Sequence, residues 1–104
     1  MKVISFGILE ALEGKSEELK DLIYRHMEFV KEQPGLVHIY TARPKGNQEK
    51  FLVVSAWDTE ENQQAAMAKL SSDPTAAAEF IQLMQVLKGQ PDFGNYVVDS
   101  ISSK

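Results

Sequence analysis

Apolar residues recur along the chain with two periods, and the switches between them mark the expected elements. Val3 to Leu12 alternates loosely and is rich in β-branched and aromatic residues, which is the pattern of a strand; Gly14 breaks it. Ser16 is the expected cap of a first helix, with Glu17 and Glu18 in the turn where the helix dipole favours negative charge. Leu19, Leu22, Ile23, His26, Met27 and Val30 follow at three- and four-residue spacing as one face of that helix, which Pro34-Gly35 terminates.

Leu36 to Thr41 reads as a second strand and Phe51 to Trp57 as a third, joined through the turn residues Pro44-Lys45-Gly46-Asn47. Thr59 is expected to cap a second helix that carries Ala65, Ala66, Met67 and Leu70. Asp73-Pro74 starts a third, with aspartate as cap and proline at the first helical position; Ala77, Phe80, Ile81, Met84 and Leu87 form its apolar stripe. Gly89 and Pro91 end it, and Phe93 to Ile101 reads as the last strand. The order β-α-β-β-α-α-β over residues 1–104, with no repeat or linker, predicts a single α+β domain of ferredoxin-like plan, an antiparallel sheet with helices on one face.

The strands do not alternate cleanly between apolar and polar. In the third, Phe51, Val53 and Trp57 oppose Leu52, Val54 and Ala56; in the first, Ile4, Phe6 and Ile8 oppose Val3 and Leu9; in the second, Leu36, His38 and Tyr40 oppose Val37 and Ile39. Both faces of the sheet ask for cover, and the helices suffice for one. The face left over is of the size that marks an interface, so the expected assembly is a homodimer joined sheet to sheet.

Eleven basic and fifteen acidic residues give a formal net charge of -4, which argues against a nucleic-acid partner and against docking on anionic membranes. The chain has no cysteine, which removes disulfides, thiolate metal sites and cysteine nucleophiles together. No apolar run approaches the ~18–20 residues of a membrane helix. The first residues read as a strand and not as a leader, since Glu10 and Glu13 follow at once, and the expected compartment is the cytoplasm.

Several short stretches, taken in order, resemble the antibiotic biosynthesis monooxygenase family of the dimeric α+β barrel superfamily. They are Gly14-Lys15 with Glu17-Glu18-Leu19, then Gln33-Pro34-Gly35-Leu36, then Phe51 through Trp57 followed by Asp58-Thr59-Glu60-Glu61, with Asp73 and Phe80 beyond. The resemblance implies a dimeric barrel fold. It also implies an oxygenase, free of cofactor and metal, that acts on small quinol-like aromatics. Where members of the family carry an asparagine before the strand-three tryptophan, this chain has Val53; where many carry a glutamate, it has Ser55; where many carry a histidine after the tryptophan, it has Ala66. The stretch Ala76 to Phe80 lacks the histidine of the haem-degrading branch, and Glu79 is its nearest polar residue.

The candidate chemical groups are few. His26, on the apolar side of the first helix, is either a core-edge histidine or a general base facing a pocket between helix and sheet. His38 is either a sheet or interface residue or a pocket group that polarises a substrate oxygen. Trp57 is a core aromatic or a pocket wall able to stack on a flat ligand. Tyr24 and Tyr40 are possible hydrogen-bond donors, and Phe6, Met67, Phe80 and Met84 are possible apolar lining. Two histidines without carboxylates at ligand spacing give no case for a metal.

Two functions fit these residues. One is a cofactor-free oxygenase in which His38 or His26 deprotonates a small aromatic held in an apolar pocket. The other is a non-catalytic homodimer that binds a small apolar molecule. An amino-acid-binding regulatory module of similar element order is a third reading.

Overall fold

The computed structural model describes residues 2–104; Met1, at the start of the expected domain, lies outside the described residues. The elements are β1 (Val3–Glu10), α1 (Ser16–Val30), β2 (Leu36–Ala42), β3 (Lys50–Trp57), α2 (Glu60–Ser72), α3 (Pro74–Val86) and β4 (Asp92–Val97). The strands form one antiparallel sheet in the order β2-β3-β1-β4, which is the ferredoxin-like plan.

The caps of α2 and α3 follow the sequence. Thr59 Oγ1 accepts from Asn62 N at 3.1 Å, and Asp73 Oδ1 accepts from Thr75 N at 3.0 Å with Pro74 in the first turn. The cap of α1 does not. Gly14 takes a positive φ of 79°, the turn closes with Lys15 N donating to Leu12 O at 2.9 Å, and Lys15 becomes the N-cap without a side-chain bond. Ser16 therefore falls inside the helix.

Two ends are also shorter than expected. β1 stops at Glu10, and Ala11 makes an isolated bridge to Leu87 instead. β4 stops at Val97, because its partner β1 has run out there; the last rung is Val98 N to Lys2 O at 2.9 Å.

Strand register assigns the two faces. Val3, Ser5, Gly7 and Leu9 lie opposite Trp57, Ser55, Val53 and Phe51, and all face the helices. Ile4, Phe6 and Ile8 lie opposite Ala56, Val54 and Leu52 on the other face. In β2 a bulge between Leu36 and His38 breaks the alternation: Leu36 pairs with Trp57, but His38 pairs with Ala56. Leu36 and Ile39 thus pack on the helix side, while His38 and Tyr40 stand on the open side, their rings 5.1 Å apart. The expectation that Leu36, His38 and Tyr40 share a face is corrected by that one inserted residue.

The core is split in two. At one end Leu9, Leu19, Leu22, Ile23, Phe51, Val86 and Leu87 pack together; at the other, Val3, Val30, Trp57 and Ala66. Large residues at the strand ends, Phe51 and Trp57, reach the helices and are fully buried. The middle of the sheet carries Ser5, Gly7 and Ser55, which are too small to do so. Space is left between the two clusters.

Candidate active site

That space is a chamber of about 1040 Å³ between the sheet and the three helices, at the upper end of the range for small-molecule sites. Its floor is the rung Ser55–Ser5–Asn95, in register across β3, β1 and β4. Leu22, Ile23, Phe29, Val53, Met67, Leu83 and Phe93 supply most of its apolar wall. Phe93 takes the place above Gly7, where a Cβ would meet the Phe93 ring at 2.9 Å.

Three polar side chains meet at one side. Ser5 Oγ donates to Asn95 Oδ1 at 2.7 Å, and Gln63 Nε2 donates to Ser5 Oγ at 3.1 Å and to Asn95 Oδ1 at 3.3 Å. Gln63 reaches them from α2 and is buried. Nearby on the floor, Trp57 Nε1 donates to Ser55 Oγ at 2.9 Å. On the helix side the chamber is bordered by His26 and Arg25 from α1 and by Glu79 from α3. Burial pushes the pKa of His26 below its usual value, and the Glu79 carboxylate opposes that shift without cancelling it. A neutral imidazole is thus available as a proton acceptor at neutral pH.

The sequence profile of the antibiotic biosynthesis monooxygenase family matches residues 6–69. The chain belongs to that family. Solved structures extend the likeness of fold over nearly the whole chain. An asparagine-to-alanine variant of SnoaB, a cofactor-independent oxygenase from Streptomyces nogalater, superposes with a TM-score of 0.82 at 16% identity, covering 99% of this chain and 98% of that one. Rv0793 from Mycobacterium tuberculosis gives a TM-score of 0.81 at 8% identity, with 99% and 100% covered. NE2512 from Nitrosomonas europaea gives 0.75 at 19%, with 99% and 94% covered. No curated protein matches the sequence significantly.

In this family member the chamber gathers some of the expected site residues and not others. His26, Met67, Phe80 and Phe6 border it. The ring of Phe6, however, lies on the open face, where a Cβ at Gly94 would collide with it. His38 and Tyr40 are on the far side of the sheet, so of the two histidines expected as alternative bases His26 alone faces the chamber, and the places expected for His38 and Tyr40 in the pocket are corrected. Trp57 is fully buried in the end cluster, beside the floor, and meets it through Ser55. Tyr24 is about half exposed and Met84 is 40% exposed; neither borders the chamber. The α3 stripe is not core either: Phe80 and Ile81 are 54% and 62% exposed, because α3 packs on α1 and α2 and stands off the sheet.

The residues that sequence reading missed are Ser5, Gln63 and Asn95. A signal for the first existed: Ser5, Gly7 and Ser55 are small residues on the inward face of otherwise bulky strands. Gln63 and Asn95 come from segments far apart in the chain, and only the fold brings them together. Among the described residues, no helix is long and apolar enough to cross a membrane, and no cluster of three metal-ligating side chains occurs.

Proposed function

We propose that the protein is an oxygenase that binds a small, hydroxylated aromatic in the chamber and needs no cofactor. The observation that carries this reading is the half-buried His26, held neutral by burial at the wall of an apolar chamber. The ligand's flat ring lies among Phe29, Val53, Met67 and Phe93. His26 takes an acidic proton from the substrate, and the wall keeps water from competing for the anion. The electron-rich carbanion then adds to molecular oxygen. Reprotonation gives a hydroperoxide, and loss of water leaves a carbonyl, so one oxygen atom enters the product and the other leaves as water. The kinship with SnoaB supports the same class of reaction.

The open face of the sheet supports a homodimer. Ile4, Phe6, Leu52 and Val54 are half-buried there and Tyr40 and Tyr96 are exposed, while the helices cover only the opposite face. Burying about 800 Å² on each partner is the size of a stable interface.

Oxygen uptake with a panel of hydroquinones and anthrones tests the reaction. Turnover in the wild type and its loss in His26→Ala are expected; turnover unchanged by His26→Ala removes the assigned base. A second reading, a binding protein without catalysis, is favoured by Val53 and Ala66, apolar where the family resemblance implies an asparagine and a histidine. Ligand-induced thermal stabilisation without oxygen uptake would select it.

A further inference from the structure

The Ser5–Gln63–Asn95 cluster does more than hold α2 to the sheet. Gln63 is only 7% exposed, and a buried primary amide is costly unless its polar atoms are used. Its nitrogen is used twice, on Ser5 and Asn95; among the hydrogen bonds of the described residues its carbonyl oxygen has none. No fully buried side-chain nitrogen or oxygen lacks a partner, so that oxygen retains open space beside it. Asn95 is the mirror case. Its Oδ1 accepts from both Ser5 and Gln63, which leaves its NH₂ group unused.

The cluster borders the chamber and therefore offers it one free acceptor and one free donor, with no charge. Turning either amide alone would set oxygen against oxygen or nitrogen against nitrogen. Turning both together again leaves one donor and one acceptor outward, so the pattern is a property of the pair. A carboxylate or phosphate cannot use the acceptor, and an ammonium cannot use the donor. A hydroxyl uses both at a single atom.

We infer that Gln63 and Asn95 grip one un-ionised phenolic hydroxyl of the substrate, accepting its proton at the glutamine carbonyl and donating to its oxygen from the asparagine amide. The inference rests on the chamber being an aromatic-binding site. It adds that the substrate carries at least two functional positions: a hydroxyl that stays protonated at this cluster, and a separate acidic position served by His26.

Calorimetric binding of 2-naphthol and of 2-methylnaphthalene tests it at neutral pH, where the naphthol is un-ionised and the hydrocarbon can neither donate nor accept. Neither compound requires turnover, so binding is read apart from chemistry. The wild type is expected to prefer the naphthol by about tenfold, the worth of one or two hydrogen bonds to a site built for them. Gln63→Leu and Asn95→Leu are each expected to cut that preference to within about twofold while keeping affinity for the hydrocarbon. Asn95 is exposed, so its variant stands as the test if Gln63→Leu fails to fold. Binding of both compounds without preference, or an undiminished preference in the folded variants, overturns the grip alone. Failure of the wild type to bind either compound overturns the aromatic chamber and the grip with it. A preference that depends on both residues, found in a protein that takes up no oxygen, sustains the grip and removes the oxygenase.

Discussion

The indole nitrogen of Trp57 donates to the hydroxyl of Ser55 at 2.9 Å, two residues back on the same face of β3. The bond ties the fully buried tryptophan of one core cluster to the floor of the chamber. Ser55→Ala leaves a buried indole N–H without its partner and is expected to cost about 1–3 kcal/mol. Trp57→Ala opens a cavity as well and is expected to cost about 3–5 kcal/mol. Urea unfolding of both single variants and the double should show strong non-additivity, because the serine has nothing to accept from once the indole is gone.

His26 sets a pH dependence with a definite sign. Burial favours its neutral form, so the folded chain binds this proton less tightly than the unfolded chain does. The stability it protects is complete above the unfolded pKa of about 6.5 and is lost as pH falls from there through the lowered folded value. His26→Gln should therefore lose less stability than the wild type between neutral pH and about pH 5 in matched urea titrations. Glu79→Gln removes the opposing carboxylate and should move the His26 NMR titration further down.

Gly35 joins α1 to β2 with a φ of 86°, and a Cβ there would collide with Asp58 and Asn62. The same turn accepts Asp58 N at its carbonyl at 2.8 Å. Gly35→Ala combines a left-handed backbone with a clash and is expected to cost about 2–4 kcal/mol, read as a lowered Tm. Gly46→Ala has a similar φ of 80° but no neighbour within 4 Å, so it isolates the backbone part at about 1 kcal/mol.

A lysine at Val54, in the middle of the open sheet face, should leave the protomer folded and abolish self-association. Sedimentation at low micromolar concentration is expected to give a dimer for the wild type and a folded 11.7 kDa monomer for Val54→Lys. A monomeric wild type would remove the proposed interface.

Strand and helix positions were legible because periodicity and capping residues are local signals: Thr59 and Asp73 cap as their identity suggests, and Gly35 turns as it must. Faces were less legible. An inserted residue in β2 leaves no mark in composition, yet it sends His38 to the opposite side from Leu36. The chamber was harder still, because a void is announced by what is missing. Ser5, Gly7 and Ser55 were read through their bulky neighbours, and the α3 stripe of Phe80, Ile81 and Met84 looks like core until the small floor beneath it is seen. The meeting of Gln63 with Asn95 depends on tertiary placement of α2 over β4, which no spacing rule encodes.

The bulge at the start of β2 lets that strand carry one residue more than the stretch of β3 it pairs with. Deleting Val37 would restore plain alternation: Leu36 would stay opposite Trp57 and inward, His38 opposite Ala56 and outward, and the rungs from Ala56 to Leu52 would be untouched. The extra residue is slack in the connection from α1, so a deletion at this one spot is absorbed without exchanging the compartments that the two sides of the strand face.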